Sequence, residues 1–317
     1  SHGSGFYGLP HLAAAAKQVI PESGGFDPAE IYTLISAHEE VSMFAAPTMV
    51  KRFVEYSGGG STENLRTITY GGGPMYVPDC KKALERLGQK LVQIYGQGES
   101  PMTITVLPRE DHALIEHPRY EERLASVGYA QSIVEVRVAD SEGATCPNGE
   151  IGEILVRGDV VMKGYWGRPK ESAEALRDGW LHTGDIGEID TQDGYLKITD
   201  RKKDIIVSAG GDNISPAKIE NMITNEPEID QCMVYGDKKN YLVALIVVDP
   251  KDKNDSTIRN IIENLNKNLS IIEKIKKFKL IDEEFTIENG LLTQTLKQRR
   301  EKIVERDSKS IQGIFDR

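Results

Sequence analysis

Apolar and polar positions change rhythm twice along the 317 residues. In the first hundred or so, short apolar runs alternate with helical patterns. Residues 41–46, closed by Pro47, predict a buried strand, and residues 48–55 then take a helical period. Asp27-Pro28 reads as a helix start, because the aspartate can cap and the fixed φ of proline suits the first helical position. Residues 65–70 predict a strand broken at Gly71-Gly72-Gly73-Pro74. Residues 78–87 predict a helix closed by Gly88, and residues 90–95 a strand followed by Gly96-Gln97-Gly98. Strand, glycine loop, helix, strand, glycine loop is the order of a parallel, doubly wound sheet. Ligands there lie beyond the carboxyl ends of the strands, so both glycine loops are expected to face one crevice.

From about Ser126 the period shortens. Residues 133–139, 152–157 and 195–198 alternate apolar and polar, with Pro147-Asn148-Gly149, Arg177-Asp178-Gly179 and Gln192-Asp193-Gly194 as turns, which predicts antiparallel strands. After Asp200 a strand at 205–208 leads through Gly210-Gly211-Asp212-Asn213 to a helix starting near Ser215-Pro216. Strands at 231–235 and 241–248 follow, and the remainder reads as mostly charged helix. Ile258, Ile261, Ile262, Leu265 and Leu269 make a helical stripe expected to pack in a core. The predicted fold is α/β. Residues 1–199 form part of a large domain with a parallel sheet and an antiparallel β subdomain, and residues 200–317 a small α+β domain. No Ser/Pro/Gly-rich spacer lies at the junction.

Composition narrows the function classes. Lysine and arginine total 39 against 49 aspartates and glutamates, a net charge of −10, which argues against a general nucleic-acid binder. Residues 251–317 carry 15 basic and 12 acidic side chains, so the only basic stretch is C-terminal. No apolar run approaches the roughly 18 residues of a membrane span. Cys80, Cys146 and Cys232 follow no metal or disulfide spacing, and no signal-peptide pattern opens the chain, so a reducing, cytoplasmic location is expected.

Each chemical candidate has two readings. Gly71-Gly72-Gly73-Pro74 permits close backbone approach of a flat or anionic ligand, or is simply a tight turn. Glu99 after a strand suits Mg²⁺ beside phosphates, or starts a helix. Asp185 in Leu181-His182-Thr183-Gly184-Asp185 can accept from ribose hydroxyls, or shape a turn. His182 alone is a weak candidate base. The run Asp200-Arg201-Lys202-Lys203-Asp204 is either solvated surface or a charged pivot touching a ligand. Lys297 can neutralise a carboxylate and a phosphate together, or lie on the surface.

The motifs in order are more specific than any one of them. Tyr95-Gly-Gln-Gly-Glu99, Gly152-Glu-Ile-Leu-Val-Arg-Gly158, Gly164-Tyr165-Trp166, Gly179-Trp-Leu-His-Thr-Gly-Asp185, Gly194 to Ile206, Gly211-Asp-Asn-Ile-Ser-Pro216 with Ile219-Glu220, and Thr293-Gln-Thr-Leu-Lys297 run the length of the chain. In these the chain resembles the C-terminal part of the adenylate-forming acyl-CoA synthetase superfamily. The resemblance implies that Gly72, Gly73 and Pro74 line the adenine and acyl-carboxylate site, with Tyr95, Gly96 and Gln97 beside the nucleotide. It implies Mg²⁺ on Glu99, ribose on Asp185 and Arg201, a hinge at Lys203, and a CoA tunnel flanked by Gly210 and Gly211. Lys297 would contact the carboxylate and α-phosphate during adenylation, and His2 matches a histidine near the acyl site.

The sequence departs from the family at Gly98, where a threonine hydroxyl is expected near the phosphates, and at Gln294, where a proline is usual. A Ser/Thr/Gly-rich loop ending in lysine, which grips the ATP phosphates in this family, is absent; it is expected upstream of Ser1, since the chain lacks an initial Met. The implied function is a carboxylic acid:CoA ligase acting on a fatty or aromatic acid through an acyl-AMP, with ATP, Mg²⁺ and CoA and no membrane span. The alternatives are transfer of the acyl group to a carrier protein, or an inactive nucleotide-binding fragment. Neither the acid nor the oligomeric state is specified.

Overall fold

The structure, a computed structural model, describes residues 2–248, 254–293 and 297–316. It divides into two compact units: Ser1–Thr183 with Gly187–Ile198, and Gly184–Ile186 with Thr199–Arg317.

The first unit begins with α1 (His2–Ala13), α2 (Pro28–Ala37), β1 (Val41–Ala45) and α3 (Pro47–Glu55). Then come β2 (Leu65–Tyr70), α4 (Val77–Leu87), β3 (Leu91–Gln97), β4 (Ser100–Leu107), α5 (Arg109–Ala113), α6 (Tyr120–Leu124) and β5 (Tyr129–Ala130). Asp27 caps α2 as its sequence predicts, Oδ1 accepting from Ala29 N–H at 2.9 Å. Gly88 ends α4 at φ +74°, a conformation that glycine adopts without strain. The sheet order is β1-β2-β3-β4-β5. Only β1, β2 and β3 run parallel; β4 and β5 are antiparallel, so the expected parallel sheet is mixed. Two residues, Gly98 and Glu99, join β3 to β4, and a connection this short can only return antiparallel. Ile31, Tyr32 and Ile35 of α2, Val50 and Phe53 of α3, and Cys80, Ala83 and Leu87 of α4 pack with Leu65, Ile68, Tyr70 and Leu91 of the sheet.

A second sheet follows, ordered β10-β9-β7-β6. It comprises β6 (Glu135–Ala139), β7 (Gly152–Arg157), β9 (Trp180–Ile189) and β10 (Leu196–Arg201), with β8 (Leu176–Arg177) after α7 (Pro169–Ala175) pairing on β9. Its buried face places Val138, Ile154, Val156, Leu181 and Leu196 with Tyr95 and Ile104. Strands β9 and β10 supply residues 184–186 and 199–201 to the second unit.

In the second unit β11 (Ile206–Val207) pairs with β12 (Asn213–Ile214), and α8 (Pro216–Thr224) starts at Ser215, whose Oγ accepts from Lys218 N–H. Then come β13 (Gln231–Tyr235), β14 (Leu242–Val247), α9 (Asp255–Leu265), β15 (Ile275–Ile281), α10 (Arg300–Arg306) and α11 (Ser308–Phe315). Ile258 and Ile262 of α9 are buried beside Ile219, Ile223 and Leu269, the core role expected of that stripe. Residues 275–281, expected as helix, form a strand parallel to β14. The wholly buried β14 gains ladder partners on both edges, and this non-local pairing overrides the local pattern. Among the described residues no helix is long and apolar enough to cross a membrane.

Candidate active site

In the first unit the candidates gather at one end of the parallel strands. Strands β2 and β3 pair through Ile68–Leu91, Thr69–Val92 and Tyr70–Gln93, so Gly71 leaves β2 beside Ile94, three residues before β3 ends at Gln97. The glycines there differ in kind. A Cβ on Gly96 would lie 2.3 Å from Met102 N and 2.8 Å from Ser100 O, so the hairpin backbone itself requires glycine. Gly72 has φ +82° and open space where its Cβ would project, and Gly73 is nearly as open. Gly96 therefore serves the fold, whereas a Cβ on Gly72 would meet nothing and one on Gly73 only Pro47 at 3.9 Å.

Alternation along β3 buries Leu91, Gln93 and Tyr95 on one face. Tyr95 packs against Ile104 and Val138, and Gln97 Nε2 donates to Thr183 O at 3.0 Å. Strand β3 runs through Gly96 and Gln97, and the expected glycine loop shrinks to the two-residue turn. Glu99 thus starts no helix. Tyr165 Oη donates to its Oε1 at 2.6 Å, and Met162 N–H donates to its carbonyl at 2.7 Å. The Glu99 hydrogen bond, with burial and the carboxylate charge, pushes the Tyr165 phenol up to about 12. Tyr165 belongs to a motif visible in the sequence, but nothing local couples it to a residue 66 positions earlier.

The second unit brings together Asp185, Arg201, Lys203 and Lys297. Asp185 is 4% exposed, and Arg201 Nε lies 3.1 Å from its Oδ1. Lys202 N–H donates to Gly184 O at 2.8 Å, tying the charged run to the segment that bears Asp185. Lys297 is half-buried. Burial lowers its ammonium pKa, as do Arg201 and Lys203, while Asp185 and Asp204 oppose the shift. Lys297 thus sits among two cations and two carboxylates, with burial weighing against its charge. Thr293 anchors it locally, its N–H donating to Lys297 O at 2.8 Å and its Oγ1 accepting from Lys297 N–H at 3.0 Å. Gln294, Thr295 and Leu296 lie outside the described residues.

Asp200 supports this cluster by accepting at Oδ1 from Arg201 N–H at 2.6 Å. Asp200 is buried, which raises its pKa, and its Oδ2 accepts from Ser215 Oγ at 2.7 Å. Gly210 and Gly211 occupy a separate exposed turn, closed by Ser208 Oγ donating to Asp212 Oδ2 at 2.9 Å. His182 is engaged by Glu153 at 3.0 Å and Arg177 at 2.7 Å. His2 lies in α1, and its side chain is outside the described residues. A cavity of about 550 Å³ beside Arg119, Arg123, Asp190 and Asp193 is lined by none of the candidate residues. Among the described residues no group of three or more His, Cys, Asp or Glu is placed to hold a metal.

The family model for AMP-binding enzymes matches residues 1–166, and that for the AMP-binding enzyme C-terminal domain matches residues 203–317. This chain belongs to the AMP-binding enzymes. It is 37% identical over 248 residues to a feruloyl-CoA synthase of an Amycolatopsis species, covering 77% of this chain and 48% of that protein. A medium/long-chain fatty-acid–CoA ligase of Mycobacterium tuberculosis is 32% identical over 253 residues, 78% of this chain and 42% of the relative. Among solved structures, an o-succinylbenzoate coenzyme A synthetase of Bacillus subtilis in complex with AMP aligns with a TM-score of 0.78 at 27% identity. That alignment covers 95% of this AMP-binding chain and 58% of the other. The chain spans less than half the length of the two curated relatives.

Proposed function

We propose that this AMP-binding chain belongs to a carboxylic acid:CoA ligase that activates a fatty or aromatic acid as its acyl-AMP. The observation that carries the reading is the grouping of Asp185, Arg201 and the charge-perturbed Lys297 in one unit. The similar proteins named above include an aromatic and a fatty acid:CoA ligase, which supports the substrate class without choosing within it.

A carboxylate oxygen attacks the α-phosphorus, the α–β bridging P–O bond breaks, and pyrophosphate leaves with the electron pair. The barrier is the approach of one anion to another. Lys297 offsets that repulsion at the carboxylate and α-phosphate. Asp185 accepts from a ribose hydroxyl and Arg201 donates to the other oxygen, while Gly72, Gly73 and Pro74, with Tyr95, Gly96 and Gln97 behind them, form the floor under adenine and acyl carboxylate. Glu99 offers one hard oxygen ligand, and Mg²⁺ usually completes its shell with phosphates and water, so a single carboxylate fits it. When bound, that ion neutralises charge on the phosphates. In the second half-reaction the CoA sulfur bonds to the acyl carbon, the C–O bond to AMP breaks, and the thiol proton passes to solvent. A turn at Lys203 exchanges Lys297 for the Gly210-Gly211 segment, beside which the pantetheine arm passes. We assign the acid–thiol ligase roles to Lys297 and Glu99, with His2 as the acyl-site histidine, in a cytoplasmic enzyme of fatty- or aromatic-acid metabolism.

The test is a two-step assay across a panel of acids. Acid-dependent pyrophosphate release and CoA-dependent thioester formation are expected. Acyl-AMP that accumulates regardless of CoA would instead point to a carrier-protein acceptor and overturn the ligase reading.

A further inference from the structure

Gly164-Tyr165-Trp166 has no part in the chemistry above, yet the structure builds an anchor around it. Gly164 at φ +146° and Gly167 at φ +68° bend the chain on either side of Tyr165 and Trp166. Tyr165 N–H donates to Ser172 Oγ at 2.8 Å, and that hydroxyl donates in turn to the Arg168 carbonyl at 2.7 Å. Arg168 N–H donates back to the Tyr165 carbonyl at 3.1 Å. The backbone of Tyr165 is thereby pinned to α7. From this base its hydroxyl reaches Glu99 Oε1 at 2.6 Å, and Met162 N–H takes the Glu99 carbonyl at 2.7 Å. Glu99 sits in a two-residue turn where its side chain would otherwise rotate freely, and it is held twice by one segment. Its other carboxylate oxygen, Oε2, accepts no hydrogen bond from any described residue.

We propose that Tyr165 is a positioning residue. Its hydroxyl fixes the Glu99 carboxylate so that Oε2 alone is presented to a divalent cation shared with nucleotide phosphates. This rests on the metal role given to Glu99 under Proposed function. Fixing one oxygen in advance removes the rotational entropy that a free glutamate loses when it ligates, which is where the clamp acts.

Tyr165→Phe keeps the ring and removes only the hydroxyl. In this variant the Mg²⁺ concentration giving half-maximal MgATP binding should rise on the order of tenfold, the effect of losing one hydrogen bond to a charged group. Binding of ATP in EDTA should not change. The second readout needs no nucleotide: 3-fluorotyrosine is incorporated to bring the phenol titration into an accessible range, and residue 165 is followed by fluorine NMR. Its midpoint should fall when Glu99 is changed to Gln. A midpoint indifferent to Glu99→Gln overturns the clamp. So does an unchanged Mg²⁺ dependence in Tyr165→Phe when Glu99→Gln shifts that dependence. If Glu99→Gln leaves Mg²⁺ dependence untouched, the metal role of Glu99 falls and the positioning role falls with it, while the fluorine titration still reports the hydrogen bond separately.

Discussion

Arg300 closes on Glu220 with two hydrogen bonds, Nη1 to Oε2 at 2.9 Å and Nη2 to Oε1 at 2.8 Å. The same pair takes both backbone groups of Val234, whose N–H donates to Glu220 Oε1 at 2.6 Å and whose carbonyl accepts from Arg300 Nη2 at 2.7 Å. Helices α8 and α10 are thus pinned to β13, and Arg300 lies three residues beyond Lys297. With the side chains only 17% and 11% exposed, breaking the pair strands a charge out of water. Arg300→Ala should cost about 3–5 kcal/mol in urea unfolding of the second unit. Glu220→Gln with Arg300→Met should recover part of that loss, because it removes both charges and keeps an acceptor for Val234 N–H. A single variant within 1 kcal/mol of the parent, to order of magnitude, would show that the pair is not structural.

Lys297 should separate the two half-reactions. Lys297→Ala removes the cation that meets the carboxylate and α-phosphate, so acid-dependent pyrophosphate release should fall by about 10²-fold or more. Thioester formation from preformed acyl-AMP should fall far less, and equal loss of both would contradict a lysine that acts in adenylation alone.

The same side chain carries a pH signature. Burial, Arg201 and Lys203 lower the pKa of Lys297, so its proton leaves at a lower pH than that of a surface lysine. A step that needs the protonated amine is lost as pH rises through this lowered value. Pseudo-first-order modification of Lys297 by an amine-reactive reagent, followed by peptide mass spectrometry, should turn on below the pH typical of lysine. Lys203→Gln should move that onset upward, and a downward shift would contradict the assigned sign.

Gly96 within β3 and Gly72 in the turn after β2 should behave differently. In Gly96→Ala the new methyl meets backbone atoms of Met102 and Ser100, which cannot move aside without distorting the hairpin. In Gly72→Ala it meets nothing, and the cost is only the left-handed φ, about 1–2 kcal/mol. Thermal unfolding should therefore single out Gly96→Ala, while nucleotide binding should suffer in Gly72→Ala although its fold persists. The opposite ranking would reassign the two glycines.

These contrasts show what the sequence could disclose. Asp27, Ser215 and Gly88 act through neighbours within four residues, so the helix ends at those positions were legible. The grouping of Asp185, Arg201 and Lys297 was legible only through motif order, because no local rule joins positions 112 residues apart. Residues 275–281 were misread because Ile275 and Phe278 fit a helical period, and only pairing with β14 makes them a strand. Gly96 looked like a ligand-facing loop glycine, since the bulge at Met102 that crowds it has no local signal. The Tyr165–Glu99 hydrogen bond is not legible in the sequence because 66 positions separate its two residues.

Acid stability of the first unit should trace to Asp190. Arg119 Nη1 donates to its Oδ1 at 2.7 Å, and Gln192 and Asp193 N–H groups each donate to the same oxygen at 2.8 Å. Foremost through the Arg119 bond, the carboxyl is held well below the usual aspartate range, so the folded state releases its proton more readily than the unfolded chain. The stabilisation is therefore fully present above the unfolded value of about 3.9 and is lost as pH falls toward the lower folded value. Urea midpoints measured between about pH 6 and pH 2.5 should fall steeply in the parent through the lower half of that range. Asp190→Asn should start from a lower midpoint at neutral pH and decline less on acidification, because it has no proton to take up. Parallel curves for parent and variant would show that other carboxylates govern the acid limb and that the Arg119 contact adds no pH-linked stability.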